Sequence, residues 1–183
     1  MRVIAGTARS IPLVCPDGLD TRPTTDQIKE TLFNILMPYL YDANFLDLFS
    51  GSGGIGIEAL SRGSAHATFV ENSKPALKCI EENLVNTHFK DQATVFPMDV
   101  FSALNQLQGK ECFDIVFMDP PYNMELEKQV LERLSNSTLI NEDSLIVIEA
   151  SNETDIDYVG SLGFEVEKIK QYKNNMHVFL RRS

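Results

Sequence analysis

The sequence has only three cysteines, Cys15, Cys79 and Cys112, set far apart and with no Cys-x-x-Cys pair. Neither a disulfide framework nor a zinc site of ordinary spacing can be assembled from them, so reduced, packed thiols are expected and no metal. No apolar run approaches the roughly 20 residues that cross a bilayer. The opening MRVIAGTARSIPLVCPDG lacks an apolar stretch of signal-peptide length and a small-residue cleavage site, so a cytoplasmic location and no membrane partner are expected. Internal repeats, low-complexity tracts and Gly/Ser linkers are absent, which argues against a solenoid or a string of domains. Positive charge is scarce: 16 basic residues face 26 acidic ones, a net charge of −10.

What is present fits one globular domain. A chain of 183 residues that is 43% hydrophobic has the material for a sizeable core and is not a disordered protein. The acidic balance argues against nucleic acid as a partner of the whole surface, but the charge is unevenly spread. Residues 1–16 hold Arg2 and Arg9 and no acid, and residues 168–183 hold Lys168, Lys170, Lys173, Arg181 and Arg182 and no acid. The middle carries nine basic residues against 26 acidic, a net of −17. The two ends are either cationic patches on an acidic body or simply solvated termini.

Two short apolar runs, RVIAG and IPLVC, flank the polar Thr7-Ala8-Arg9-Ser10 and predict a hairpin ahead of the main fold. A helix is expected from Thr24 or Thr25, with Ile28, Leu32, Ile35, Leu36 and Leu40 at helical spacing. Apolar runs at 44–49, 67–70, 93–98, 113–118 and 144–149 then alternate with helical patterns near 55–62, 74–86, 100–107 and 125–134. In the second of these helices Leu77, Ile80, Leu84 and Val85 are expected on the buried side. Strand-helix alternation with short loops implies a parallel sheet covered on both faces. Two last strands, 164–170 and 177–181, flank a turn at 173–175, a closing hairpin that makes the sheet mixed at one edge. An extension over 1–20 and a main domain over 21–183 are expected.

The segment NFLDLFSGSGGIGIEALSRG passes from a buried strand through Gly51-x-Gly53-x-x-Gly56 into a helix. Such a loop lets the backbone approach a ligand while the helix presents free N–H groups, although tight strand-to-helix packing produces the same glycines. Glu71 ends the next strand, where a carboxylate accepts hydrogen bonds from the hydroxyls of a ribose. Dinucleotides and S-adenosylmethionine both fit. Asp47, four residues before Gly51, favours the second, because a negative charge beside the loop repels a pyrophosphate and suits a cationic methionine end. Phe49 and Ser50 belong to the same loop. Asp99 is placed either to receive an adenine amine between Met98 and Val100 or to cap the helix that follows.

A second motif closes the strand at 113–118: Asp119-Pro120-Pro121-Tyr122. The prolines remove two backbone donors and stiffen the loop, leaving carbonyls free to accept. Acceptors on both N–H bonds of an exocyclic amine, here the Asp119 carboxylate and the Pro120 carbonyl, favour a more tetrahedral nitrogen able to attack an electrophilic methyl. Tyr122 would stack on the flipped base. The alternative is a plain Asp-Pro-Pro turn with a capping aromatic. No Pro-Cys dipeptide occurs, which disfavours attack at a base carbon.

These residues resemble the RsmD-type 16S rRNA guanine-N2 methyltransferases over nearly the whole chain. MRVIAGTARSIPL is similar to that family's opening hairpin. Thr21-Arg22-Pro23-Thr24 with Lys29-Glu30-x-Leu32-Phe33-Asn34 matches its N-terminal signature, and residues 46–53 and 56–63 match its cofactor loop. Asp119-Pro120-Pro121-Tyr122 matches its amino-methyltransferase motif, so Asp119, Pro120 and Tyr122 are expected at the chemistry.

The resemblance implies a class I, Rossmann-like α/β methyltransferase fold with a seven-stranded mixed sheet and an antiparallel final strand. It implies S-adenosyl-L-methionine as cofactor and 16S rRNA as partner, within the small ribosomal subunit or an assembly intermediate. Arg22, Thr24, Pro121 and Tyr122 are then expected to meet the substrate, with an Arg22–Asp26 ion pair as the alternative for Arg22. A monomer is expected. Methylation of adenine N6 in another nucleic acid, a nicotinamide-dependent oxidoreductase and a non-catalytic RNA-binding module are the competing readings.

Overall fold

The computed structural model describes residues 1–16, 26–122 and 124–183. Five strands pair in parallel: β1 (Asn44–Leu48), β2 (His66–Glu71), β3 (Ala93–Pro97), β4 (Ile115–Met118) and β5 (Leu145–Ser151). Then β6 (Phe164–Gln171) and β7 (Asn175–Arg182) form a hairpin, and β7 inserts antiparallel between β5 and β6. The strand order is β3-β2-β1-β4-β5-β7-β6. The chain walks outward one way from β1 and the other way from β4, so the crevice beyond the C-terminal ends of β1 and β4 is the topological switch point where such sheets bind ligands.

Helices cover both faces. On one side α1 (Asp26–Leu40), α2 (Gly54–Ser61) and α3 (Lys74–Asn86) place Leu32, Leu36, Ile57 and Ile80 against Phe45, Phe69, Phe117 and Phe179. On the other, α4 (Val100–Leu107) and α5 (Leu126–Ser135) place Leu104, Val130 and Leu131 against Leu48, Val116, Ile146 and Val178. Central strands buried on both faces account for the near-continuous apolar runs of the sequence. Two 3-10 turns, Lys90–Gln92 and Asp157–Leu162, fill connections in which the sequence shows no helical period.

One expectation needs correction. The buried side of α3 consists of Ala76, Cys79, Ile80, Asn83 and Leu84, whereas Val85 is 55% exposed. A polar residue takes the inner position because Asn83 has partners there: its amide donates to the carbonyls of Val14 and Ser52 at 2.9 Å each and accepts from Val14 N at 2.7 Å. The opening hairpin is present: around the antiparallel Arg2–Pro12 bridge, Val3 N donates to the Ile11 carbonyl at 2.9 Å, Ser10 N to the Val3 carbonyl at 2.9 Å and Leu13 N to the Met1 carbonyl at 3.0 Å. Backbone groups nearer its tip bind α2. Ile4 N and Ala5 N donate to the Glu58 carboxylate at 2.8 and 3.0 Å, and Thr7 N donates to the Ser61 carbonyl at 2.8 Å.

A buried charge cluster locks this segment down. Glu58 is fully buried and pairs with Lys29 Nζ at 3.3 Å and Arg62 Nε at 2.8 Å, while Lys29 also donates to the Arg2 carbonyl at 2.6 Å. Burial lowers the pKa of Lys29, and Glu58 opposes that shift. Lys29, part of the N-terminal signature, therefore acts in the core and not at a ligand. Asp26 pairs with Arg2 at 2.9 Å.

Candidate active site

The glycine loop leaves β1 through a strained turn. Phe49 has φ of 60°, a conformation costly for a bulky side chain, and Gly53 follows at 79° as the residue before α2. Ser50 fastens the turn to β2: its hydroxyl donates to the Asp47 carbonyl at 2.6 Å and accepts from Val70 N at 3.0 Å. Gly56 has no room for a side chain, since a Cβ there would overlap the Phe69 ring. Asp47 lies buried beneath the loop and accepts the Gly56 N–H at 2.9 Å. Burial pushes its carboxyl up to about 7; the Gly56 N–H pulls the other way and the charge of Glu71 adds to the rise.

Glu71 stands opposite. Its Oε2 accepts Gly51 N at 2.8 Å, and its Oε1 accepts Asn72 N and Ser73 N at 2.8 Å each. With two acceptor positions per oxygen, one remains on Oε2, facing the crevice. Asp99 caps α4: Oδ1 accepts Phe101 N and Ser102 N at 3.0 Å each, and Oδ2 accepts the Ser102 hydroxyl at 2.6 Å. The Ser102 hydroxyl, then its backbone N–H, lowers the Asp99 pKa. One acceptor position on Oδ2 stays open, so capping and accepting a ligand amine are compatible. Between these two acids lies a cavity of about 210 Å³ walled by Phe49, Val70, Met98, Val100, Phe101 and Leu126. Apolar walls with a carboxylate at either end suit an adenosine: ring between the walls, hydroxyls at one acid, amine at the other. Asn72, Phe101 and Leu126 also line it and were not singled out in the sequence.

Asp119 follows β4 at the same sheet end. Its side chain is exposed to solvent yet has much protein around it. That crowding, then the negative charges of Glu149 and Asp47, raises its pKa well above the usual carboxylate range. Pro120 is buried, Pro121 is exposed and Tyr122 is 42% exposed. The sequence reading missed Glu149, although an acid ending the strand beside the Asp119 strand is a visible signal. Glu149 is buried; Oε2 lies 3.1 Å from His177 Nε2, and Oε1 accepts the Asn175 amide at 2.5 Å. The Tyr172 hydroxyl lies 3.3 Å from His177 Nδ1 behind it. Arg22 and Thr24 lie outside the described residues.

The comparisons with known proteins agree with this geometry. The family model described as conserved hypothetical protein 95 matches residues 1–181. The chain belongs to this family. Its motifs resemble the same group. Among its relatives, ribosomal RNA small subunit methyltransferase D of Haemophilus influenzae is 38% identical over 156 residues, 84% of this chain and 80% of the relative. The protein of that name from Escherichia coli is 36% identical over 159 residues, 87% and 79% of the two chains. The solved structure titled "Putative methyltransferase yhhF from Escherichia coli" superposes with a TM-score of 0.88 at 34% identity, covering 100% of this chain and 98% of that one. The family's fold is the class I methyltransferase fold, and the seven-stranded sheet with its antiparallel insertion is that fold.

Proposed function

We propose that the protein transfers a methyl group from S-adenosylmethionine to the exocyclic N2 amine of a guanine in small-subunit ribosomal RNA, within the subunit or an assembly intermediate, as a cytoplasmic monomer. The observation that carries the reading is the meeting of Asp119-Pro120-Pro121-Tyr122 with the glycine loop and the two-acid cavity at one switch point. The names of the relatives point to small-subunit rRNA. No helix among the described residues is long and apolar enough to cross a membrane.

Glu71 and Asp99 hold the nucleoside end of the cofactor, with Met98 and Val100 against its ring. The loop of Phe49, Ser50, Gly51, Gly53 and Gly56 brings backbone close to the rest. Asp47 sets a negative charge beneath that loop, where a cationic methionine end gains from it and a pyrophosphate does not. When bound, the cofactor supplies an electrophilic methyl on a sulfonium sulfur. Asp119 and the Pro120 carbonyl accept the two N–H bonds of the target amine and localise its lone pair. The raised pKa of Asp119 also suits it to take the proton that the nitrogen sheds. Pro121 stiffens the loop and Tyr122 stacks on the base. Residues 1–20 with Arg9, and Arg22 and Thr24 beyond them, add RNA contacts.

Nucleoside analysis of small-subunit rRNA from cells with and without the protein tests this reading. Loss of one N2-methylguanosine is expected; an unchanged profile would overturn the substrate.

A further inference from the structure

The C-terminal basic run divides in the fold. Arg181 pairs with Glu167 at 2.8 Å and donates to the Asp143 carbonyl at 2.6 Å. Arg182 is spent on the carbonyls of Leu134, Ser135, Ser137 and Ile140 at 3.0–3.3 Å. Lys168, Lys170 and Lys173 are exposed, and among the described residues no carboxylate lies within ion-pair distance of them. Three unpaired cations on one edge are a local exception on a chain of net charge −10.

Their place in the sheet ties them to the active site. Gln171 pairs with Met176, and Ser151 at the end of β5 pairs with Asn175. The turn that carries Lys173 therefore stands at the same sheet end as Asp119. One level down, Lys170 pairs with His177 and His177 with Glu149. Glu149 lies two residues before the end of β5, one strand from Asp119. Three strand spacings put the Lys170 backbone roughly 14 Å from that of Asp119. Lys168 and Lys170 face the α1 side, where they line an open groove of about 520 Å³ between β6 and α1, with Phe179 and Leu145 at its floor and with Glu167, whose charge Arg181 offsets, beside them. The edge strand β6 is exposed along its length after Phe164.

We propose that Lys168, Lys170 and Lys173 carry the phosphate backbone of the RNA strand flanking the methylated nucleotide, along the groove between β6 and α1. This rests on rRNA being the substrate. The complementarity is that of a row of unpaired ammonium groups leading to the reacting carboxylate and a polyanion that must pass it. Phosphate contacts of this kind position the substrate without reading its sequence.

The test is methyl transfer to small subunits from cells lacking the enzyme, comparing the parent with Lys168→Gln/Lys170→Gln/Lys173→Gln and with the triple arginine variant. The glutamine variant is expected to raise KM at least tenfold, to leave kcat and S-adenosylhomocysteine affinity unchanged, and to flatten the dependence of log(kcat/KM) on log[salt] by about 2, at about 0.7 per lysine. The arginine variant is expected to restore KM. An unchanged KM with a new tendency to aggregate overturns the proposal and assigns the lysines to guarding an open sheet edge. No transfer by the parent itself overturns the rRNA reading underneath, a result distinct from a parent that works and a variant that matches it.

Discussion

Glu71 Oε2 accepts the Gly51 backbone N–H at 2.8 Å, so the acid that ends β2 is already bound to the glycine loop that it faces across the crevice. One carboxylate thus shapes the loop and, in the proposed reading, offers its remaining acceptor position to a ribose. Glu71→Ala removes both and is expected to weaken S-adenosylhomocysteine binding roughly 10- to 100-fold, the worth of one or two charge-assisted hydrogen bonds. Calorimetric titration measures it; equal binding by mutant and parent removes Glu71 from the site.

In the proposed reaction Asp119 serves the amine and not the cofactor. Asp119→Ala is expected to cut transfer by roughly 10²–10⁴, with S-adenosylhomocysteine affinity within about twofold of the parent. Single-turnover transfer and a binding titration on the same preparation separate the two; lost cofactor binding would count against the assignment.

The carboxylates at the strand ends give the pH dependence. Asp119 must be ionised to accept from the amine, and its raised pKa moves that ionisation above the ordinary carboxylate range. Transfer therefore rises with pH on its acid limb. Glu149→Gln removes one of the two negative neighbours, lowers the Asp119 pKa and shifts the limb to lower pH. A limb that stays put in a kcat–pH profile of the mutant contradicts the coupling.

Asp47 titrates at about 7 and stays neutral below that. Because its pKa is raised on folding, its contribution to stability is fully present below about 4 and is lost as pH rises through about 7. A cationic ligand reverses the preference by favouring the anion. Affinity for S-adenosylmethionine relative to the uncharged-sulfur homocysteine product is expected to grow between pH 5.5 and pH 8, and Asp47→Asn to abolish the change. Parallel titrations of the two ligands across that range decide it.

Glu58→Ala leaves Lys29 and Arg62 buried without their carboxylate and frees the amides of Ile4 and Ala5. A stability loss of about 3–5 kcal/mol is expected in denaturant melts, with early proteolysis in the first 16 residues. A loss below about 1 kcal/mol would show that the cluster does not anchor the segment.

The sheet was legible because its signal is local. Strands buried on both faces read as unbroken apolar runs, and the glycine loop and the Asp-Pro-Pro-Tyr turn sit at their ends. Helix α3 was legible in its bounds but not in its face: Asn83 points inward for the sake of Val14, 69 residues away, and such long-range pairing leaves no periodic trace. The opening hairpin was legible in its two apolar arms but not in where its tip docks, the amides there being bound by Glu58 and Ser61 of α2. At the site, Glu71, Asp99 and Asp119 were each visible as an acid ending or following a strand, and Asp47 as an acid four residues before Gly51. Glu149 was equally visible and went unread, and His177 and Tyr172 behind it depend on β7 inserting beside β5, which strand order alone reveals.

The central claim is methyl transfer to a guanine amine of small-subunit rRNA through Asp119. Labelled S-adenosylmethionine is incubated with small subunits from cells lacking the enzyme, with Asp119→Ala alongside, and the rRNA is digested to nucleosides. A single labelled N2-methylguanosine in 16S rRNA, absent with the mutant, is the expected result. Label in another nucleoside, or equal label with the mutant, contradicts it.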